Sequence, residues 1–235
     1  MTDRDRLQPT YVLHRRPYSN SSLLLECFTL DEGRMPIIAA GAKRPKSNRV
    51  ALLQPFVPLL ASWSGRGEIK TLRHCEAAST PHALQGNALF CGFYLNELLV
   101  RLLQRNAPHE HLFGIYSDTV RKLSNGPSLN SLLRHFELDL LEQLGLGLVL
   151  DRCADDDSPL RPDGRYYYLP EVGPVTRDDG HGLTVSGSTL LALARRQALA
   201  MEGEREARAL MRHILSYYLG DRPLKSRELF QAGGK

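Results

Sequence analysis

The chain has 235 residues, 42% hydrophobic and 24% charged, enough for one large or two small domains with a real core. No long uncharged apolar run is present, which argues against a transmembrane helix, and the charged start Met1 to Arg6 lacks the apolar centre of a secretory signal. The net charge of +4 is unevenly spread: residues 1–80 carry 12 Lys+Arg against 7 Asp+Glu, and residues 81–235 carry 18 against 19, which points to a basic N-terminal module with a polyanionic partner.

The first 80 residues read as β-structure. Pro9 to His14 and Ser22 to Leu30 are strand candidates, and Asp31-Glu-Gly33 supplies a hairpin turn. Two apolar, strand-like runs, Pro36 to Ala40 and Val50 to Leu53, flank the cationic loop Gly41-Ala-Lys-Arg-Pro-Lys-Ser-Asn-Arg49. Leu52 to Trp63 is expected to be extended, because Pro55 and Pro58 oppose a helix. Gly65-Arg-Gly67 then turns the chain into the alternating Glu68 to Arg73. About five short strands with glycine at most turns suit a small closed barrel, which leaves no exposed edge. An OB-like barrel is the reading, with an SH3-like barrel as the alternative.

From residue 84 the apolar period becomes helical. Leu84 to Arg105 is the first helix. Leu112, Phe113, Tyr116, Val120 and Leu123 mark a second, stopped by Asn125-Gly-Pro127. Ser128 caps a third, with Leu129, Leu132, Leu133, Phe136, Leu140 and Leu144 as its stripe. Residues 151–185 break the pattern with turns and one short strand, Tyr166 to Leu169. Ser186 or Ser188 caps a helix from Thr189 to Met201, Glu204 to Leu219 forms the next, and the tail Arg222 to Phe230 is basic and amphipathic. The fold class is α+β: an OB-like barrel over 1–80, then a helical bundle over 81–235 with an irregular insertion at about 151–185.

Between Gly33 and Gly67 there is no Asp or Glu, while Arg34, Lys43, Arg44, Lys46, Arg49 and Arg66 are all present. Such a stretch is either a solvated loop or a cradle for a phosphate backbone. Arg15 and Arg16, leading into the polar loop Pro17 to Ser22, add a second basic spot. Tyr11, Tyr18, Phe56 and Trp63 are the aromatics on which bases could stack, or else core. His109-Glu-His111 puts two histidines on different sides of a helix, and Asp155-Asp-Asp157 reads as a solvated turn. The cysteines Cys27, Cys75, Cys91 and Cys153 form no C-x-x-C pair, so no metal site, cofactor or disulfide framework is expected, and a reducing, cytoplasmic setting fits best. Neither G-x-S-x-G nor a Walker A motif occurs, so an enzyme is not expected.

Several segments together resemble the RecO family, bacterial recombination mediators of the RecFOR pathway: Tyr11 to Ser19, Gly41 to Lys46, Leu53 to Phe56, Ser62 to Glu68, Cys91 to Leu99 and Leu224 to Phe230. The resemblance implies an N-terminal OB-fold and a helical domain. It implies a protein that binds single- and double-stranded DNA and anneals complementary strands without nucleotide hydrolysis; a cytoplasmic, nucleoid-associated monomer is the accompanying expectation. It implies contact with the acidic tail of the single-strand binding protein SSB, and loading of RecA with RecR. Some members carry a four-cysteine zinc site in the insertion; here only Cys153 stands there. The DNA-binding candidates are then Arg15, Arg16, Arg34, Lys43, Arg44, Lys46, Arg49 and Arg66. For the SSB tail they are Tyr116, Arg121, Lys122 and Arg134. The competing reading is a peptide-binding adaptor with a passive barrel.

Overall fold

The computed structural model describes residues 6–45, 47–126, 128–177 and 180–232. It begins with five strands, β1 (Gln8–Pro17), β2 (Leu23–Thr29), β3 (Gly33–Ala39), β4 (Leu59–Ser64) and β5 (Lys70–Ala77), with a one-turn helix α1 (Arg49–Leu52) between β3 and β4. The strands close into a barrel in the order β1-β2-β3-β5-β4, antiparallel except for the β3–β5 pair. This is an OB-like barrel. Its interior is filled by Val12, Leu25, Met35, Ile37, Leu59 and Trp63, among others.

The run Val50 to Leu53, expected to be strand-like, is instead α1 and its C-terminal flank. A single turn carries no periodic signal. What holds it is a distant cation: one guanidinium nitrogen of Arg15 donates to the carbonyls of Val50 at 2.8 Å and Leu53 at 3.2 Å. Those are the carbonyls a helix end leaves unsatisfied.

β1 is apolar on both sides because both sides are covered. Val12 faces the barrel interior. Tyr11 and Leu13 face outward, yet both are buried, beneath α2 (Gly86–Leu102) and α3 (Glu110–Asn125). Tyr11 and Phe28 pack there against Phe113 and Tyr116. Buried Asn96 donates to the Leu13 carbonyl at 2.9 Å and accepts from the Tyr116 hydroxyl at 2.7 Å. Gly33 is required where β3 begins: its φ is +70°, and a Cβ there would lie 1.8 Å from the Ala107 carbonyl oxygen.

The chain divides into two compact units, Met1–Gly126 with Leu224–Lys235, and Pro127–Pro223. The change from strand to helix lies between Ala77 and Gly86, so α2 and α3 belong to the same unit as the barrel. The tail returns to that unit as α7 (Ser226–Ala232). Glu97 of α2 caps it by accepting from the backbone N–H groups of Lys225 at 2.9 Å and Ser226 at 2.8 Å. Phe230 meets Phe90 edge-on.

The second unit holds α4 (Leu129–Gln143), α5 (Gly187–Ala194), α6 (Met201–Leu219) and a three-stranded sheet. The sheet, in the order β7-β6-β8, is made of β6 (Arg165–Leu169), β7 (Gly173–Val175) and β8 (Leu183–Ser186). Of these only β6 was expected, since strands of three and four residues show little alternation. Asp155 clips the insertion by accepting from the Thr176 hydroxyl and backbone N–H, both at 2.7 Å. Those donors, the hydroxyl foremost, hold its carboxyl below the usual range. Ser128 stands at the N-terminus of α4 as expected, although its hydroxyl makes no cap hydrogen bond. At α5 the cap is Ser186, which accepts from the Thr189 N–H. That helix ends at Ala194, short of the expected Met201, and Arg196 follows with a φ of 54°.

Replacing Glu97 with Ala should leave the first N–H groups of α7 without their acceptor. The expected loss is about 1 kcal/mol, read from urea unfolding, with faster hydrogen exchange confined to Lys225 and the residues of α7.

Candidate nucleic-acid interface

Hydrogen bonds link several of the barrel's cation-bearing segments. Arg16 lies near the end of β1, opposite Leu24 of β2, and is exposed. The next turn carries Tyr18, 57% exposed. Lys43 joins this turn to the loop after β3: its N–H donates to the Ser21 carbonyl at 2.9 Å and its ammonium to the Ser19 carbonyl at 3.3 Å. Arg44 is exposed beside it, its side chain folded over Gly41. Arg15 ties β1 to α1, and Arg49 of α1 reaches the Arg73 carbonyl of β5 at 3.5 Å. Arg73 donates to the Ser64 hydroxyl at 2.5 Å, where the loop bearing exposed Arg66 begins, and Lys70 closes that loop on the Gly65 carbonyl at 3.2 Å.

Of the expected residues, Arg15, Lys43 and Arg49 tie neighbouring segments together by hydrogen bonds, and Arg16, Arg44 and Arg66 are exposed in or beside those segments. Arg15 is largely occupied with α1. Lys46 lies outside the described residues. Arg34 is set apart, because it belongs to the fold. Its side chain is 13% exposed, pairs with the equally buried Glu26, and donates to the Leu103 carbonyl at 3.0 Å. Arg105 bridges the other oxygen of the same carboxylate at 3.2 Å. Sequence reading missed Lys70 and Arg73. Their signal was present, since Arg73 follows inward-facing Leu72 in the alternating run.

Of the four aromatics considered for stacking, Tyr11, Phe56 and Trp63 are interior. The Trp63 ring N–H donates to Glu32 at 3.2 Å, and Phe56 packs on Phe93 of α2. Only Tyr18 is presented to solvent. A groove of about 510 Å³ is lined by Asn48, Arg49, Leu52, Val57 and Cys75, among others. Burial pushes the Cys75 thiol up, opposed by Arg49.

The residues expected to hold an SSB tail do not form one surface. Tyr116 is fully buried in the aromatic cluster, and Arg134 is buried and paired with Glu137. Tyr116 belongs to the apolar stripe of α3, and that periodicity was already a sign of burial. Arg121 and Lys122 are exposed, but both bridge Asp118, Lys122 at 2.6 Å. Hydrogen bonds from Lys122 and then Arg121 hold the Asp118 carboxyl below its usual range.

Two family models match, "Recombination protein O N terminal" over residues 5–81 and "Recombination protein O C terminal" over residues 83–228. The chain belongs to the RecO family. Curated relatives named DNA repair protein RecO agree with this assignment. The protein of Methylococcus capsulatus is 50% identical over 226 residues, covering 96% of this chain and 93% of that one. The protein of Nitrosospira multiformis is 45% identical over 231 residues, covering 97% and 96%. That of Coxiella burnetii is 45% identical over 230 residues, covering 97% and 99%. This RecO chain is thus a member of a family of DNA repair and recombination proteins. No helix among its described residues is long and apolar enough to cross a membrane.

Because Arg34 is committed to Glu26 and Leu103, Arg34→Ala should act on stability. Urea unfolding should show a loss on the order of 3 kcal/mol. DNA affinity measured well below the melting temperature should change less than threefold.

Proposed function

We propose that this chain binds single- and double-stranded DNA through the barrel's cationic band and anneals complementary strands. The observation that carries this reading is the band itself: exposed Arg16, Lys43, Arg44, Arg66 and Arg73, with half-buried Arg49 and Lys70, on loops and strand ends joined by hydrogen bonds. The acids near it are few, Glu68 on the last loop and Glu76 beside His74. Two strands repel through their phosphates, and cations that neutralise part of that charge lower the barrier to encounter. Bases then pair by their own chemistry. No covalent bond changes, so the reading needs no catalytic residue, no nucleotide and no metal.

The further activity that RecO resemblance implies, helping RecR load RecA onto SSB-coated strands, belongs to this proposal and would place the protein at the nucleoid. For an acidic SSB tail, Arg121 and Lys122 are the cations left within reach. Charge reversal at both should weaken binding of a tail peptide and leave naked-DNA binding intact; equal loss of both would count against them.

The direct test is the full chain carrying R16Q, K43Q, R44Q and R73Q. Each lost phosphate contact flattens the log-log salt dependence on single strands by about 0.7, so four should remove about 3 from the slope. Affinity at low salt and annealing rate should fall together. A folded variant with unchanged slope and affinity would favour the adaptor reading, in which the barrel is passive.

A further inference from the structure

We propose that the outward face of α6, in the second unit, is another phosphate-binding surface, able to hold a nucleic-acid strand separate from the one on the barrel. The inference rests on the strand-annealing reading above and adds a second strand to it.

Three arginines carry it. Arg205, Arg208 and Arg212 are all exposed. At 3.6 residues per turn they fall within a sector of about 60° and span about 10 Å along the axis. The other residues between them on this face are small: Ala209 lies alongside, and Ser216 follows one turn later, both exposed. Among the described residues none of the three guanidinium groups pairs with a carboxylate. Arg208 donates to the neutral Asn130 amide at 2.8 Å, and Arg205 only to the Met201 sulfur at 3.8 Å. Of the helix's acids Glu206 is occupied elsewhere; exposed Glu202 stands three residues before Arg205, and Glu204, four before Arg208, shares the Asn130 amide with it. Glu206 accepts from Ser186 and Thr189, and Glu204 from Asn130 at 2.9 Å.

A solvated helix face ordinarily mixes signs, with opposite charges one turn apart. Here Glu204 precedes Arg208 at that spacing, but Arg208 and Arg212 also stand one turn apart and repel. A polyanion removes that repulsion. The span is about that of four successive phosphates on one strand of a duplex, at an axial rise of roughly 3.4 Å each. Charge is what this stretch offers, so the ligand assigned to it is the sugar-phosphate backbone. With the barrel band on the first unit, one chain could then hold two strands at once.

The test uses the full chain and two non-complementary 20-nucleotide oligo-dT strands, one carrying a donor dye and one an acceptor. Wild type with excess oligonucleotide should give energy transfer at a stoichiometry of two strands per chain. R205Q/R208Q/R212Q should lose that transfer and bind one strand, and R205K/R208K/R212K should keep it. In the barrel variant R16Q/K43Q/R44Q/R73Q the residual site should weaken about 20-fold between 50 and 200 mM salt, as about three contacts predict. Transfer that persists in the Gln variant, or that requires two protein molecules per complex by mass photometry, would overturn the proposal. A barrel variant that binds as wild type does would instead sink the barrel reading. If the triple variant fails to fold, R212Q alone, on an exposed position, should still lower the two-strand fraction, and no change there overturns the proposal too.

Discussion

One buried amide fixes how the first unit is built. Asn96 donates to a carbonyl of β1 and accepts from Tyr116 of α3, so a strand and two helices meet at one side chain. Loss of either partner would leave a polar group buried without compensation, at about 1–3 kcal/mol. The tie requires β1 to be covered on its outer side, and the aromatic cluster of Tyr11, Phe28, Phe113 and Tyr116 does the covering. The helices therefore occupy the β1–β2 flank. The cations collect on what is left: the end of β1, the loops after β3 and β4, and the outer face of β5.

The barrel was legible because its strands alternate and its turns are marked by glycine, features fixed by local sterics. What the sequence concealed were consequences of strand pairing. Arg34 falls within the acid-free stretch, yet its partner Glu26 lies across the β2–β3 ladder, two residues along from Phe28, which stands opposite Arg34. A charge can look unopposed along the chain and still be neutralised across a ladder. Lys70 and Arg73 are the converse. They lie beyond the acid-free stretch, but the parallel pairing of β3 with β5 and the grip of Arg49 on the Arg73 carbonyl bring them to the band.

Charge totals mislead in the same way in the second unit. That unit, residues 127–223, carries 11 Lys+Arg against 15 Asp+Glu. The negative total would describe its surface only if every charge faced solvent equally. Glu137 is fully buried, and Glu206 is engaged by Ser186 and Thr189, while three arginines of α6 point outward. Asp155 is likewise occupied, as the clip that holds the insertion. Surface potential follows from which charges the fold spends internally, and that is set by tertiary packing.

The fate of the barrel aromatics bears on mechanism. A protein that stacks successive bases on a platform holds a strand firmly and occupies the base faces that would stack in a duplex. Here three of the four barrel aromatics considered serve the interior, and Tyr18 alone is offered to solvent. Grip on the phosphates with little grip on the bases leaves the bases free to find their complements. It also makes retention dependent on salt and on the number of phosphates engaged. On the proposed reading, burial of Phe56 and Trp63 is thus part of what suits this barrel to annealing rather than to storage of single strands.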